Sequence, residues 1–246
     1  MTKRVVILGA LSAVAVAVAR RYATQGARIA IVARREVELN ALAADLTARG
    51  AASVHAAVLD LAAVKPGEAL PGLIDAVGGL DVVVLAYGAL TDQTRAESDL
   101  AYAADQLNTN FTSAALWSLA AADVLSRQDS GVLVAIGSVA GDRGRQSNYV
   151  YGAAKAGLAV LVQGIAHRLA AGKARAVIVK PGFIDTPMTA HLDKGGPLWA
   201  KPEAIADVIV KAADGGAPVV YAPWFWKFIL LIIRVVPAPI FHKTKL

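Results

Sequence analysis

The sequence predicts a single α/β domain: a doubly wound parallel sheet of about seven strands, helices on both faces, and an apolar helix at the carboxyl end. Three observations predict it. Short runs rich in Val, Ile, Leu and Ala recur at 5–8, 29–33, 53–59, 81–86, 131–137, 174–180 and 218–221, the pattern of parallel strands buried on both faces. Longer helical stretches separate them, and strands alternating with helices at this rhythm wind into an open parallel sheet. The first run leads straight into Gly9, where a tight turn begins, and Ser12 opens a helix, so the first crossover starts at the sheet's carboxyl edge.

Taken in order, the apolar helix after Ser12 runs to Gln25, and the second strand ends at Arg34-Arg35. An amphipathic helix covers 36–49, and the third strand closes on Asp60-Leu61, where the aspartate reads as a cap. The fourth ends in Ala86-Tyr87-Gly88, and one long helical region over 94–125 carries Asn110. The fifth strand delivers Ser138, and a long helix then starts near Tyr151. The sixth ends at Pro181-Gly182, the glycine-rich stretch 187–197 reads as a mobile lid, and helix 202–213 with strand 218–221 completes the domain.

Tyr151 and Lys155 stand four apart, so they share a helix face, and Ser138 lies thirteen residues ahead of the tyrosine at a strand end. A free phenol ionises near pH 10, and a neighbouring ammonium brings phenolate closer to working range. Lys155 can supply that charge. A serine hydroxyl beside the phenol can hold a carbonyl oxygen and stabilise the negative charge that develops on it, while the phenol gives up its proton.

Ser138, Tyr151-x-x-x-Lys155, Asn110 and Pro181-Gly182 at these spacings resemble the catalytic set of the short-chain dehydrogenase/reductase family, and the likeness runs over residues 3–222. The resemblance implies a Rossmann-like fold and carbonyl reduction, with Asn110 ordering a water that links Lys155 to solvent. It implies a dinucleotide on the first turn, at Gly9, Ser12 and Val14, although two of the family's three turn glycines fall here on Ala13 and Ala15. Asp60 and Leu61 are expected at the adenine. Ala86 and Gly88 stand where the family has Asn-Ala-Gly, and Tyr151, Lys155, Pro181, Ile184 and Thr186 are expected at the nicotinamide end. An acidic residue after the second strand would mark NAD; Arg34 and Arg35 suit a ribose 2′-phosphate instead, so NADPH is expected over NADH.

Hydrophobic residues make up 56% of the 246 residues and charged ones 18%, a balance that leaves apolar surface for a second subunit or a membrane to cover. The net charge of +6 comes without any Lys/Arg block longer than a pair, so nucleic acid is not an expected partner. Cysteine is absent, and His55, His167, His191 and His242 lack ligand spacing, so no metal is expected. Lys3-Arg4 before an apolar run imitates a signal peptide, but that run is also the first strand and cofactor turn; it is read as fold, with a cytoplasmic location.

Residues 1–222 form the expected domain and 223–246 an apolar tail. Within it, 224–236 reads as a helix on the order of 20 Å long, too short to span a bilayer. Lys227 and Arg234 share one face, with Phe225, Phe228, Ile229, Ile232 and Val236 opposite. Such a segment can lie at the inner face of a membrane, between subunits of a homo-oligomer, or over the substrate cleft. With 141–143, 147–152 and 190–192, the tail resembles a branch of the family that reduces a 2-keto pentose on polyprenyl phosphate for cell-envelope glycans, beside an epimerase partner subunit. That implies a lipid-linked carbonyl substrate, met by Arg143, Arg145 and His191. The alternatives are a generic ketone or 3-ketoacyl reductase acting on a small carbonyl compound, and a non-catalytic nucleotide-binding protein.

Overall fold

The computed structural model describes residues 2–190, 193–194 and 196–244; the predicted substrate contact His191 lies outside them. The elements in chain order are β1 (Arg4–Leu8), α1 (Ala13–Thr24), β2 (Arg28–Ala33), α2 (Glu36–Ala48), β3 (Ser53–Val58), α3 (Pro66–Val77), β4 (Val82–Leu85), α4 (Gln93–Ser98), α5 (Leu100–Leu107), α6 (Ser113–Gln128), β5 (Val132–Ile136), α7 (Tyr149–Leu169), β6 (Arg175–Pro181), β7 (Phe183–Ile184), β8 (Trp199–Ala200), α8 (Pro202–Asp214), β9 (Val219–Ala222), α9 (Trp226–Val235) and α10 (Ala238–Phe241).

Seven strands make one parallel sheet in the order β3-β2-β1-β4-β5-β6-β9. Its two faces are filled by alternate residues of the same strands. From β1, Val5 and Ile7 join the α1, α2 and α8 side, while Val6 and Leu8 join α3, α6 and α7. This two-sided burial is why the strand runs carry no polar alternation. The chain winds outward one way from β1 to β3 and the other way from β4 to β9, so a crevice opens where β1 and β4 end.

Gly9 sits at that crevice with φ +85°, and a Cβ on it would lie 2.5 Å from the Cβ of Tyr87. The turn needs both the left-handed backbone and the missing side chain. The N–H groups of Gly9 and Ala10 both donate to the carbonyl of Val32, which folds the turn back over β2. Ala15, where the family has its third glycine, is fully buried in the core under the sheet, so its methyl is packed rather than obstructive.

The predicted helical region 94–125 is divided. Asp92 and Asp99 each cap a helix, accepting from Arg95 N at 3.1 Å and Tyr102 N at 2.9 Å, so α4 ends and α5 begins at Asp99. A π-helical turn, Asn108–Thr112, then joins α5 to α6.

The tail helix also differs from expectation. It is shorter, Trp226–Val235, and Trp226 and Leu230 are its buried residues, flanked by Phe225, Ile229 and Ile233 and packed on Val139 and Tyr221. Phe228 and Ile232 of the expected apolar face point to solvent with Trp224, Leu231 and Val235, while Phe225 and Ile229 of that face turn toward the packed side. The segment is apolar almost all round, so periodicity alone could not choose its inner side.

Gly9→Ala should cost at least about 2 kcal/mol by urea denaturation, adding overlap with Tyr87 to the left-handed backbone penalty. Ala15→Gly should lose about 1–2 kcal/mol, through helix propensity and the loss of one buried methyl.

Candidate active site

Ser138, Tyr151, Lys155 and Asn110 meet at the carboxyl edge of β4 and β5. The 3-10 turn Val139–Asp142 that follows Ser138 lies backbone to backbone on α7, because Gly141 and Gly152 leave room. A Cβ on Gly141 would fall 2.7 Å from Ala156 N, and one on Gly152 would fall 2.9 Å from the Ala140 carbonyl. Ser138 is held in extended backbone with its Oγ accepting from Ala140 N at 3.1 Å.

Asn110 is fully buried in the π-helical turn. Its amide Nδ2 donates to the carbonyls of Ala89 and Gln106, and Oδ1 accepts from Ala89 N, each at 3.0 Å. The loop after β4 is thereby fastened to the helical arm. Lys155 Nζ approaches the same spot: a Cβ on Gly88 would lie 2.7 Å from Asn110 Oδ1 and 3.3 Å from that nitrogen.

Lys155 is buried, its Nζ donating to the Ile136 carbonyl at 3.3 Å and standing 5.8 Å from the centre of the Tyr151 ring. Burial brings its ammonium down to about pKa 8. Burial also pushes the Tyr151 phenol up, and the Ser138 hydroxyl, which stabilises phenolate by hydrogen bonding, offsets part of that. The sequence-based expectation of a phenol made more acidic is therefore not met by the protein alone: desolvation outweighs the Ser138 hydrogen bond, and Tyr151 stays protonated at neutral pH.

Sequence reasoning missed a second buried lysine. Lys180, at the end of β6, donates to Asp142 Oδ1 at 2.5 Å, and the hydroxyl of Tyr221 donates to Asp142 Oδ2 at 2.5 Å. This triad ties the Ser138 turn to the strand that carries Pro181 and to β9. Lys180 in an otherwise apolar strand run was the available signal, since a buried charge requires a partner. A second missed network replaces the family's strand-four asparagine. The Tyr87 hydroxyl donates to Ser113 Oγ at 2.7 Å, and Ser113 Oγ (2.6 Å) and Trp117 Nε1 (2.9 Å) both donate to the Leu61 carbonyl. Ala86 is buried beside this network.

Arg143 requires correction. Its NH1 donates to the carbonyls of Ile233 and Val236, the latter at 2.7 Å, and its guanidinium stacks on Phe241 at 3.7 Å. It caps the end of α9, where a cation meets the helix dipole favourably, rather than standing free for a substrate phosphate. Arg145 is half-buried with no acceptor among the described residues, and desolvation lowers its pKa. Both line a pocket of about 560 Å³ with Tyr149, Phe241, His242 and Thr244.

The cofactor candidates fit a dinucleotide. Ser12 caps α1, its Oγ accepting from Ala15 N at 3.2 Å, while the N–H groups of Ala13 and Val14 in the first turn have no acceptor among the described residues. Unpaired donors at a helix start beside the Gly9 turn form a cradle for a pyrophosphate. Arg34 is exposed at the end of β2, and Arg35 is paired with Glu38 at 2.9 Å on the surface. Asp60 accepts from Ala62 N at 3.0 Å, closing a turn rather than capping a helix, since α3 begins only at Pro66. Ile184 pairs with Ala200 of β8, and Thr186 N donates to Thr189 Oγ1 at 3.2 Å, so the segment after Pro181 is folded back on itself.

A doubly wound sheet with this crevice and this cluster defines a nicotinamide-dependent oxidoreductase. The chain belongs to the short-chain dehydrogenase/reductase family: a family profile described as short chain dehydrogenase matches residues 3–196. It is 37% identical over 244 residues to an uncharacterized oxidoreductase of Mycobacterium tuberculosis, covering 97% of this chain and 96% of that one. It is 32% identical to an uncharacterized oxidoreductase of Streptomyces coelicolor, covering 98% and 95%. Its fold is shared with 3-oxoacyl-[acyl-carrier protein] reductase from Brucella melitensis in complex with NAD, at TM-score 0.80 and 23% identity over 93% of this chain and 98% of that one.

Breaking the buried pair should be costly. Lys180→Met, which strands the Asp142 carboxylate, is expected to lower unfolding free energy by about 3 kcal/mol in chemical denaturation.

Proposed function

We propose that this enzyme reduces a ketone to a secondary alcohol with NADPH. The observation that carries the reading is the meeting of a buried lysine with no acidic partner among the described residues, a protonated phenol and a serine hydroxyl at the crevice beside the α1 cradle. When bound, the reduced nicotinamide supplies a hydride. Ser138 holds the carbonyl oxygen, and Tyr151 gives it a proton as negative charge develops. Lys155 then stabilises the phenolate and would hold the cofactor ribose, while Asn110, beside the lysine, would position a water to return the proton from solvent. Arg34, free of any ion pair among the described residues, is the contact for the ribose 2′-phosphate.

The substrate side is aromatic. Phe183 stacks on Trp199 at 5.2 Å and meets the edge of Trp226 at 5.3 Å, beside Gly182, against whose Cα the Trp226 indole packs directly. These walls favour a ketone carried on an apolar chain. A polyprenyl-phosphate-linked 2-keto pentose satisfies them, with Arg145 toward its phosphate; such a substrate implies an oxidising epimerase partner and a cytoplasmic site at the inner face of the membrane. The same aromatic wall also supports the second reading, a 3-ketoacyl chain. Comparing turnover of lipid-linked keto-sugars, 3-ketoacyl thioesters and soluble ketones separates them.

Tyr151→Phe should bind NADPH unchanged by fluorescence titration yet lose about three orders of magnitude or more in kcat/KM. Arg34→Ala should raise KM for NADPH about tenfold or more and leave KM for NADH unaffected. Because burial favours loss of the Lys155 proton, the ammonium is present below about pH 8 and lost above it. The kcat/KM for reduction should be level below that pH and fall above it; an unchanged limb in Lys155→Met would assign it to another group.

A further inference from the structure

We propose that the outer face of α9 and α10 docks on an anionic phospholipid surface. Trp224 (72% exposed), Phe228 (55%), Leu231 (59%), Ile232 (64%), Val235 (71%) and Ile240 (60%) form an apolar platform on this one part of the chain. The inner side of α9 is already used, with Trp226 and Leu230 buried against Val139, so the platform is surplus to the fold. Arg143 holds it in place by bonding the last carbonyls of α9 and stacking on Phe241.

The charges around the platform choose its occupant. Beyond Asp214 the chain holds no acidic residue to its end, while Lys227, Arg234 and Lys243 are exposed beside the apolar side chains. A second copy across a two-fold axis would set this face against itself, bringing lysine and arginine onto their like with no carboxylate to pair them. Lipid phosphates supply the missing negative charge, and acyl chains the apolar contact. Ten residues make α9 about 15 Å long, half of the hydrocarbon layer, so it lies in the interface and does not cross.

Docking sets the Ser138 turn about one helix diameter, ~10 Å, from the headgroups, because α9 alone separates Val139 from the platform. The proposal stands whichever ketone is reduced, and its test uses no substrate.

Full-length protein is mixed with vesicles of phosphatidylcholine alone or with about one-third phosphatidylglycerol, and bound protein is read by co-sedimentation and by quenching of tryptophan fluorescence with brominated acyl chains. Binding to anionic vesicles at least about tenfold stronger than to neutral ones, weakened by salt, is expected. Ile232→Ser with Val235→Ser should abolish it with an unchanged melting temperature, and Lys227→Glu with Arg234→Glu should remove the preference for anionic lipid. Equal or absent binding to both vesicle types overturns the proposal. So does a dimer, seen by light scattering, that the serine variant converts to monomer while vesicles are ignored.

Discussion

An ammonium kept almost out of water is the constraint around which the catalytic edge is arranged. Lys155 donates one long bond, to the Ile136 carbonyl, and burial alone moves its pKa. A charge in that position is costly unless something nearby gains from it. The group that gains is the Tyr151 phenol once its proton has left, which is when a reductase needs the help. Lys180 makes the contrast. It is just as buried, but Asp142 neutralises it and Tyr221 completes the carboxylate's hydrogen bonds, so it organises structure and has no free charge to offer.

These two lysines flank the same turn, and that explains its rigidity. One side of the 3-10 turn is pressed on α7 through Gly141 and Gly152; the other is held to β6 and β9 by the Asp142 triad. Ser138 enters this turn in extended backbone, so its hydroxyl is aimed by packing on both sides rather than by a flexible loop. Placing a reacting group on such a fixed element is worth more than adding another contact to it.

What the sequence made legible were features of local origin. The strand runs, the four-residue spacing of Tyr151 and Lys155, the helix opening after Ser12 and the turn at Gly9 depend on near neighbours, and each appears where expected. What stayed hidden joins distant segments: Asp142 with Lys180 and Tyr221, Tyr87 with Ser113 and Leu61, Arg143 with the end of α9. The buried side of α9 stayed hidden for a different reason. In a helix apolar on nearly every side, the buried stripe is chosen by what it lands on, here Val139 and Tyr221, and not by its own periodicity. The eroded glycine turn was a milder case, since only burial could tell that the Ala15 methyl fills core space while the donors of Ala13 and Val14 stay open.

The tail then acquires a meaning that its composition alone did not give. Trp226 presses on Gly182, whose neighbour Pro181 follows Lys180, and its helix rests on Val139, whose neighbour is Ser138. One apolar helix therefore touches both loops that bound the catalytic crevice. Arg143, which follows the Ser138 turn in the chain, binds the same helix at its far end. Any force that shifts α9 acts on the Ser138 turn and the Pro181 segment together, because interiors this closely packed transmit displacement rather than absorb it. An amphipathic tail fastened in this way packs on both of those loops with one side and presents its other side to solvent, and the two faces belong to a single rigid piece.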